Sequence, residues 1–125
     1  MANRNFNRKQ ALDKEIKEIY AKISIGATGA PTLVTANTAS LGVASISRTS
    51  AGLYVLTLQD AYVALRHLAV QIQTPTAEDL VANLVSETVA TTKTVTFRCT
   101  AAGVATDPAS GDTILVLLQL KNSSV

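Results

Sequence analysis

The stretch GVASISRTSAGLYVLTLQD, residues 42–60, decides the fold. Val43 to Thr49 reads as a strand, Ser50-Ala51-Gly52 as its turn, and Leu53 to Gln59 as the return strand. Tyr54, Leu56 and Leu58 alternate with Leu53, Val55 and Thr57, which is the two-residue period of extended backbone. A three-residue connection holding glycine is a recognised hairpin signal. Both faces of the return strand carry apolar side chains, so it is expected to be covered on both sides, by a core and by a further sheet or subunit.

Downstream, Asp60-Ala61-Tyr62 turns the chain, and Leu68, Val70 and Ile72 alternate with Ala69 and Gln71 in a second strand that Pro75 closes. Thr74 to Asp79 forms a polar loop. Residues 80–89 fit a helix through Leu80 and Leu84 or a strand through Val85, Glu87 and Val89; they are read as strand, with the helix left open. Thr94 to Thr100 places Val95, Phe97 and Cys99 inward and Thr96, Arg98 and Thr100 outward. After the turn-rich run Thr106-Asp107-Pro108-Ala109-Ser110-Gly111-Asp112, Ile114, Val116, Leu118 and Leu120 alternate with Leu115, Leu117 and Gln119 in a last strand, apolar on both faces through its middle.

Upstream, residues 32–36 suit a short edge strand, and the tract Gly26-Ala27-Thr28-Gly29-Ala30-Pro31 reads as a linker, residues 26–31. Residues 1–25 are expected to be an amphipathic helix and anchoring arm. Leu12, Ile16, Ile19, Tyr20 and Ile23 fall near the 3.6-residue period among charged residues, and Asp13/Lys17 and Glu18/Lys22 stand four apart. The Leu12-Ile16-Ile19-Ile23 seam has coiled-coil spacing, with isoleucines that favour three or more strands. Packing of that face on the chain's own domain or a neighbouring subunit is the equal alternative. The expected fold is therefore mainly β: a β-sandwich or jelly-roll-like domain over residues 32–125, preceded by one N-terminal amphipathic α-helix.

Composition narrows the function. The 125 residues are 47% hydrophobic but only 4% aromatic, without tryptophan, so the core is aliphatic. One cysteine excludes an internal disulfide and a cysteine-based zinc site. Charges recur through the N-terminal region, where neither a signal peptide nor a membrane span is expected. Six basic residues stand against three acidic ones before Ile23, an excess of +3 that begins with the basic arm Arg4, Arg8 and Lys9. That arm suits a solvated face or an acidic protein surface; nucleic acid is the weaker alternative, since few aromatics interleave with the basic residues.

Reactive side chains do not converge in the sequence. His67 is the only histidine, Cys99 lies on an inward strand face, and Asp60, Asp107 and Asp112 all stand at turns, where aspartate bonds to backbone. Asp107 and Asp112 bracket a loop whose ends could hold a cation, but the ligand-dense pattern of a calcium loop is missing, and turn chemistry is the expected role of both. No phosphate loop, dinucleotide turn or HExxH helix occurs. No catalysis, cofactor or metal is expected.

The run Gly42 to Leu58, with Arg48, Gly52 and Tyr54, followed by Asp60 and Tyr62 and later by Ala105-Thr106-Asp107-Pro108-Ala109-Ser110-Gly111, resembles small structural proteins of tailed bacteriophages. The resemblance implies a virion component assembled in the host bacterial cytoplasm. It would be an oligomer, commonly a trimer, that decorates or cements the head on contact with the major capsid protein or another virion protein. A short head, neck or tail fibre or adaptor is the alternative, and a monomeric ligand-binding β module is a further one.

Overall fold

The computed structural model describes residues 16–122, and within them run nine strands. These are β1 Ile16–Ile25, β2 Pro31–Leu33, β3 Val43–Ser50, β4 Leu53–Leu58, β5 Ala64–Gln73, β6 Val81–Thr88, β7 Thr94–Ala101, β8 Val104–Ala105 and β9 Thr113–Lys121. The first sheet has the order β2-β1-β9-β5 and the second the order β3-β4-β7-β6, with β8 paired to β7. Every pairing is antiparallel.

The two sheets share one core. Ile19, Ala21, Ile23 and Ile25 of β1 and Ile114, Val116, Leu118 and Leu120 of β9 meet Tyr54, Leu56 and Leu58 of β4 and Val95, Phe97 and Cys99 of β7, all buried. Alternation produces this layer, because each second side chain of a strand points to the same face. Each large aliphatic side chain buried there stabilises the fold by roughly 1.5–3 kcal/mol relative to exposure. The Tyr54 and Phe97 rings stack with centroids 5.8 Å apart. In a core with few aromatics these are two of the largest fully buried side chains.

The hairpin at residues 42–60 forms as expected, β3 turning into β4 with Ile46 opposite Leu56 and Arg48 opposite Tyr54. Residues 80–89, read as strand with a helix left open, contain β6. The edge strand expected at residues 32–36 is shorter and starts one residue earlier, as β2 Pro31–Leu33, whose Leu33 faces Ile23 of β1, and Ala36 already belongs to a 3-10 turn. β5 starts earlier than Leu68, at Ala64, with a bulge between Leu65 and His67.

The N-terminal helix is not found: from Ile16 onward the chain is strand, and Arg4, Arg8, Lys9 and Leu12 lie outside the described residues. β1 pairs with β9 from Ile16 opposite Lys121 to Ser24 opposite Thr113. That ladder overrides the 3.6-residue period, which four of the five apolar positions satisfy only locally. Glu18-Ile19-Tyr20-Ala21-Lys22-Ile23-Ser24-Ile25 also alternates strictly, and β-branched isoleucine suits a strand. The expected anchor face is consequently split. Ile19 and Ile23 enter the core, whereas Ile16 and Tyr20, on the same alternation as Glu18, Lys22 and Ser24, point outward. Glu18 and Lys22 no longer neighbour one another as in a helix but stand four residues apart along one strand face, roughly 13 Å.

Residues 26–30 are a closed turn between β1 and β2 and not a spacer, and Pro31, read as part of the linker, opens β2 opposite Ile25. Gly26 N–H donates to the Ala30 carbonyl at 2.8 Å around a short 3-10 turn at Ala27–Gly29.

Candidate functional site

Two features stand out from the sandwich: a polar node at one end and an apolar groove on one outer face. The node is built around Asp107, in the loop between β8 and β9. Arg48 at the end of β3 donates from Nε to Oδ1 at 2.9 Å and from Nη2 to Oδ2 at 2.8 Å, a bidentate pair. Gly52 N–H, in the β3–β4 turn, donates to Oδ1 at 2.8 Å, and Tyr54 Oη donates to the Gly29 carbonyl at 2.9 Å while standing 3.3 Å from Oδ1. One carboxylate thus joins the β3–β4 hairpin, the β1–β2 turn and the β8–β9 loop.

Two glycines make that convergence possible. Gly29 has φ +75, and a Cβ there would stand 2.7 Å from Asp107 Cβ. Gly52 has φ +71, and a Cβ there would meet the Cys99 carbonyl oxygen and stand 2.8 Å from Thr106 N. Both the left-handed backbone and the close approach require the absence of a side chain. The Arg48 hydrogen bonds, opposed by partial burial and aided by Gly52 N–H, hold the Asp107 carboxyl below the usual carboxylate range. Burial, with the Asp107 charge adding to it, pushes the Tyr54 phenol up, so it remains a donor.

The node has the character of a structural clamp. Both carboxylate oxygens of Asp107 are engaged by donors of the chain itself. Asp112 is buried and turns its Oδ2 to Ala109 N–H at 2.9 Å. Among the described residues no group of three or more histidine, cysteine, aspartate or glutamate side chains is placed to hold a metal. Cys99 is fully buried, and burial, with the Asp107 charge adding to it, pushes its thiol up to about 11, which opposes thiolate formation. His67 is on the outer face of the first sheet, opposite Gln119.

The outer faces of the two sheets differ in chemistry. On the second sheet, Ser45, Thr57, Thr94 and Thr88 form one cross-strand row and Ser47, Val55, Thr96 and Ser86 the next. Thr88, Thr92 and Thr94 share their hydroxyls, with 2.7 Å between Thr88 and Thr94 and 3.0 Å between Thr92 and Thr94. On the first sheet the rows across β1, β9 and β5 are Glu18-Gln119-His67, Tyr20-Leu117-Ala69 and Lys22-Leu115-Gln71. The middle row is apolar throughout. Tyr20 projects from it at 56% exposure and, with Lys22, Ala39, Ala69, Leu115 and Leu117 among others, lines a groove of about 490 Å³ that runs across all three strands.

Comparison with protein-family models, curated proteins and solved structures finds no match. The functional reading therefore rests on the residues themselves.

Of the residues expected to form an anchor face, the structure brings Ile16 and Tyr20 to the outer face of the first sheet and takes Ile19 and Ile23 inside. Sequence reading singled out Arg48, Gly52, Tyr54 and Asp107 as parts of two separate motifs without joining them. Their partners are 53 to 59 residues apart in the chain, beyond any local spacing rule. Leu115, Leu117 and Ala69 were legible as an apolar second face; the groove they make with Tyr20 depended on β1 being a strand.

Proposed function

We propose that this chain is a non-enzymatic virion structural protein of a tailed bacteriophage, an oligomeric decoration or cement subunit on the exterior of the head. The observation that carries the reading is the division of labour among its side chains. Arg48, Gly52, Tyr54 and Asp107, from the motifs that carry the resemblance, are engaged with one another in holding the sandwich end. Among the large apolar side chains left exposed, Tyr20 and Leu115 stand on the outer face of the first sheet, which suits that face to another protein surface. Stability completed by neighbours is what a small aliphatic core asks of an assembly subunit.

In this reading the basic arm, Arg4, Arg8 and Lys9, meets an acidic virion surface. The trimer expectation rested on an isoleucine seam of a helix; with Ile19 and Ile23 in the core, that ground for three subunits falls away.

The test is cosedimentation of the purified chain with heads and, separately, with isolated tails of a tailed bacteriophage. Saturable binding to heads is the expected result. Binding to tails alone would move the chain to the fibre or adaptor alternative, and binding to neither would sink the virion reading. Deleting residues 2–15, which leaves β1 whole, is expected to weaken head binding and reduce its dependence on salt.

A further inference from the structure

Among the described residues, every register shift in the two sheets falls on an edge strand. The ladders between inner strands, β1 with β9 and β4 with β7, run without one. The edge strand β3 carries an extra residue twice, Ala44 between Val43 and Ser45 and Thr49 between Arg48 and Ser50. β5 carries Arg66 and β6 carries Val85 in the same way. In all these cases the added residue belongs to the edge strand and not to its inner partner, which is how a bulge bends one strand away from a straight ladder. The remaining edge, β2, is three residues long and opens on Pro31, which has no N–H to offer a ladder.

An edge strand presents a row of unpaired backbone groups to any extended chain. On the β5–β6 side these groups stand beside apolar surface: Val70 and Ile72 of β5 and Ala82 of β6 are only partly buried, and Val81, Leu84 and Val85 are exposed. Ala82 lies opposite Cys99, whose N–H donates to Gly52 on the far side of β7. The Ala82 N–H is therefore turned away from β7, toward the open edge. Glu87 stands opposite the buried Val95, on the core-facing alternation, yet is exposed, its carboxylate accepting from Val89 N–H at 3.0 Å. A strand added to β6 would bury that charge.

We propose that the added residues are edge guards, which keep a second copy of the chain from extending either sheet by strand pairing. At β6 the bulge at Val85 acts together with the inward charge of Glu87; at β5 the added residue is itself a cation, Arg66. The inference goes beyond the virion reading and does not depend on it. Where subunits do assemble, it leaves sheet faces and loops, and not a shared sheet, as the means.

Removing a bulge tests this. Deleting Val85 leaves Leu84 opposite Phe97 and Ser86 opposite Thr96 as consecutive steps of one ladder, with each side chain still on its own face. Sedimentation velocity on the full chain from about 1 μM to about 500 μM, with amide exchange at Ala82, reads the result. Wild type is expected to leave Ala82 open to exchange at every concentration, whatever its oligomeric state. The deletion variant, with the circular dichroism of the fold unchanged, is expected to associate further than wild type and to slow Ala82 exchange by on the order of tenfold or more at the highest concentration. Adding Glu87→Gln, which keeps an acceptor for Val89 N–H and removes the charge, is expected to strengthen both effects. Protection of Ala82 in wild type as concentration rises would overturn the proposal. So would a folded deletion variant that sediments as wild type does, or one that associates with Ala82 still open. Should deleting Val85 cost the fold, deleting Ala44 makes β3 regular, with the same expected gain in association and the same overturning result.

Discussion

Asp107 and Asp112 stand five residues apart in one turn-rich loop, yet they meet opposite surroundings. Asp107 is 21% exposed, faces the Arg48 guanidinium and takes the Gly52 N–H. Asp112 is buried, bonds Ala109 N–H three residues back, and shares a hydrogen bond with the Glu78 carboxyl. One end of the loop is held by charge opposite to its own; at the other, two carboxyls face each other. Residue type in a loop therefore says little until the strands that flank it are placed. The pair of sites also gives the two ends opposite responses to acid.

The Asp107 end should be the harder one to disturb without loss. The largest effect is expected from Gly52→Ala. It forces a side chain into left-handed backbone and onto the Cys99 carbonyl oxygen, where neighbouring backbone cannot give way. A loss of about 3 kcal/mol or more is expected, read by urea unfolding, and a loss under about 1 kcal/mol would show that the turn can re-form elsewhere. Asp107→Ala comes next. It leaves Gly52 N–H and the Arg48 guanidinium without their acceptor, at about 2–3 kcal/mol, or on the order of 10 °C in Tm for a domain of this size. If Arg48→Ala matched Asp107→Ala, the ion pair alone would account for the node; a smaller effect of Arg48→Ala would assign the remainder to Gly52 and Tyr54.

How much of this was legible beforehand follows the range of each contact. The hairpin at residues 42–60 and the inward triplet Val95, Phe97 and Cys99 are written in a period of two, and the structure repeats them. The bond from Ala109 to Asp112 is local turn chemistry of the kind the Thr106–Asp112 cluster announces. Asp107 looks the same in sequence, but its partners lie on β3, in the next turn and on β4, and no spacing rule reaches across 55 residues to Gly52. β1 failed for a different reason. Ile16, Ile19, Tyr20 and Ile23 satisfy a helical period, and the alternating Ile19-Ala21-Ile23-Ile25 satisfies a strand. Only the partner strand β9, almost a hundred residues on, chooses between them. The groove beside Tyr20 was hidden by the same ambiguity, because a helix would have carried Tyr20 beside Ile16 and Ile23 and not beside Leu117.

The contrast between the aspartates can be titrated. The Asp107 carboxyl is lowered chiefly by the Arg48 hydrogen bonds, so its contribution is complete above the unfolded-state value of about 3.9 and is lost as pH falls through the lower folded value. The Tm gap between wild type and Asp107→Ala should therefore be full at pH 7 and close progressively below about pH 4. A gap independent of pH down to about pH 2 would mean that packing, and not the ionised carboxylate, holds the node.

The smallest effect belongs to the other end, and its sign is reversed. The Glu78 carboxyl is raised, first by its hydrogen bond with Asp112 and then by desolvation and the Asp112 charge. A raised carboxyl favours the folded state below its unfolded value, near 4.3, and that advantage fades as pH rises through the folded value. Glu78→Gln keeps a donor toward Asp112 and removes the charge. It is expected to raise Tm slightly at pH 7 and to be neutral or slightly lower near pH 4, where wild-type Glu78 carries the proton itself. Thermal melts of the two proteins across that range decide the matter. A Glu78→Gln variant less stable than wild type at pH 7 would show that the Ala109 N–H, which acts to lower the Glu78 carboxyl, outweighs the Asp112 carboxyl and desolvation that raise it.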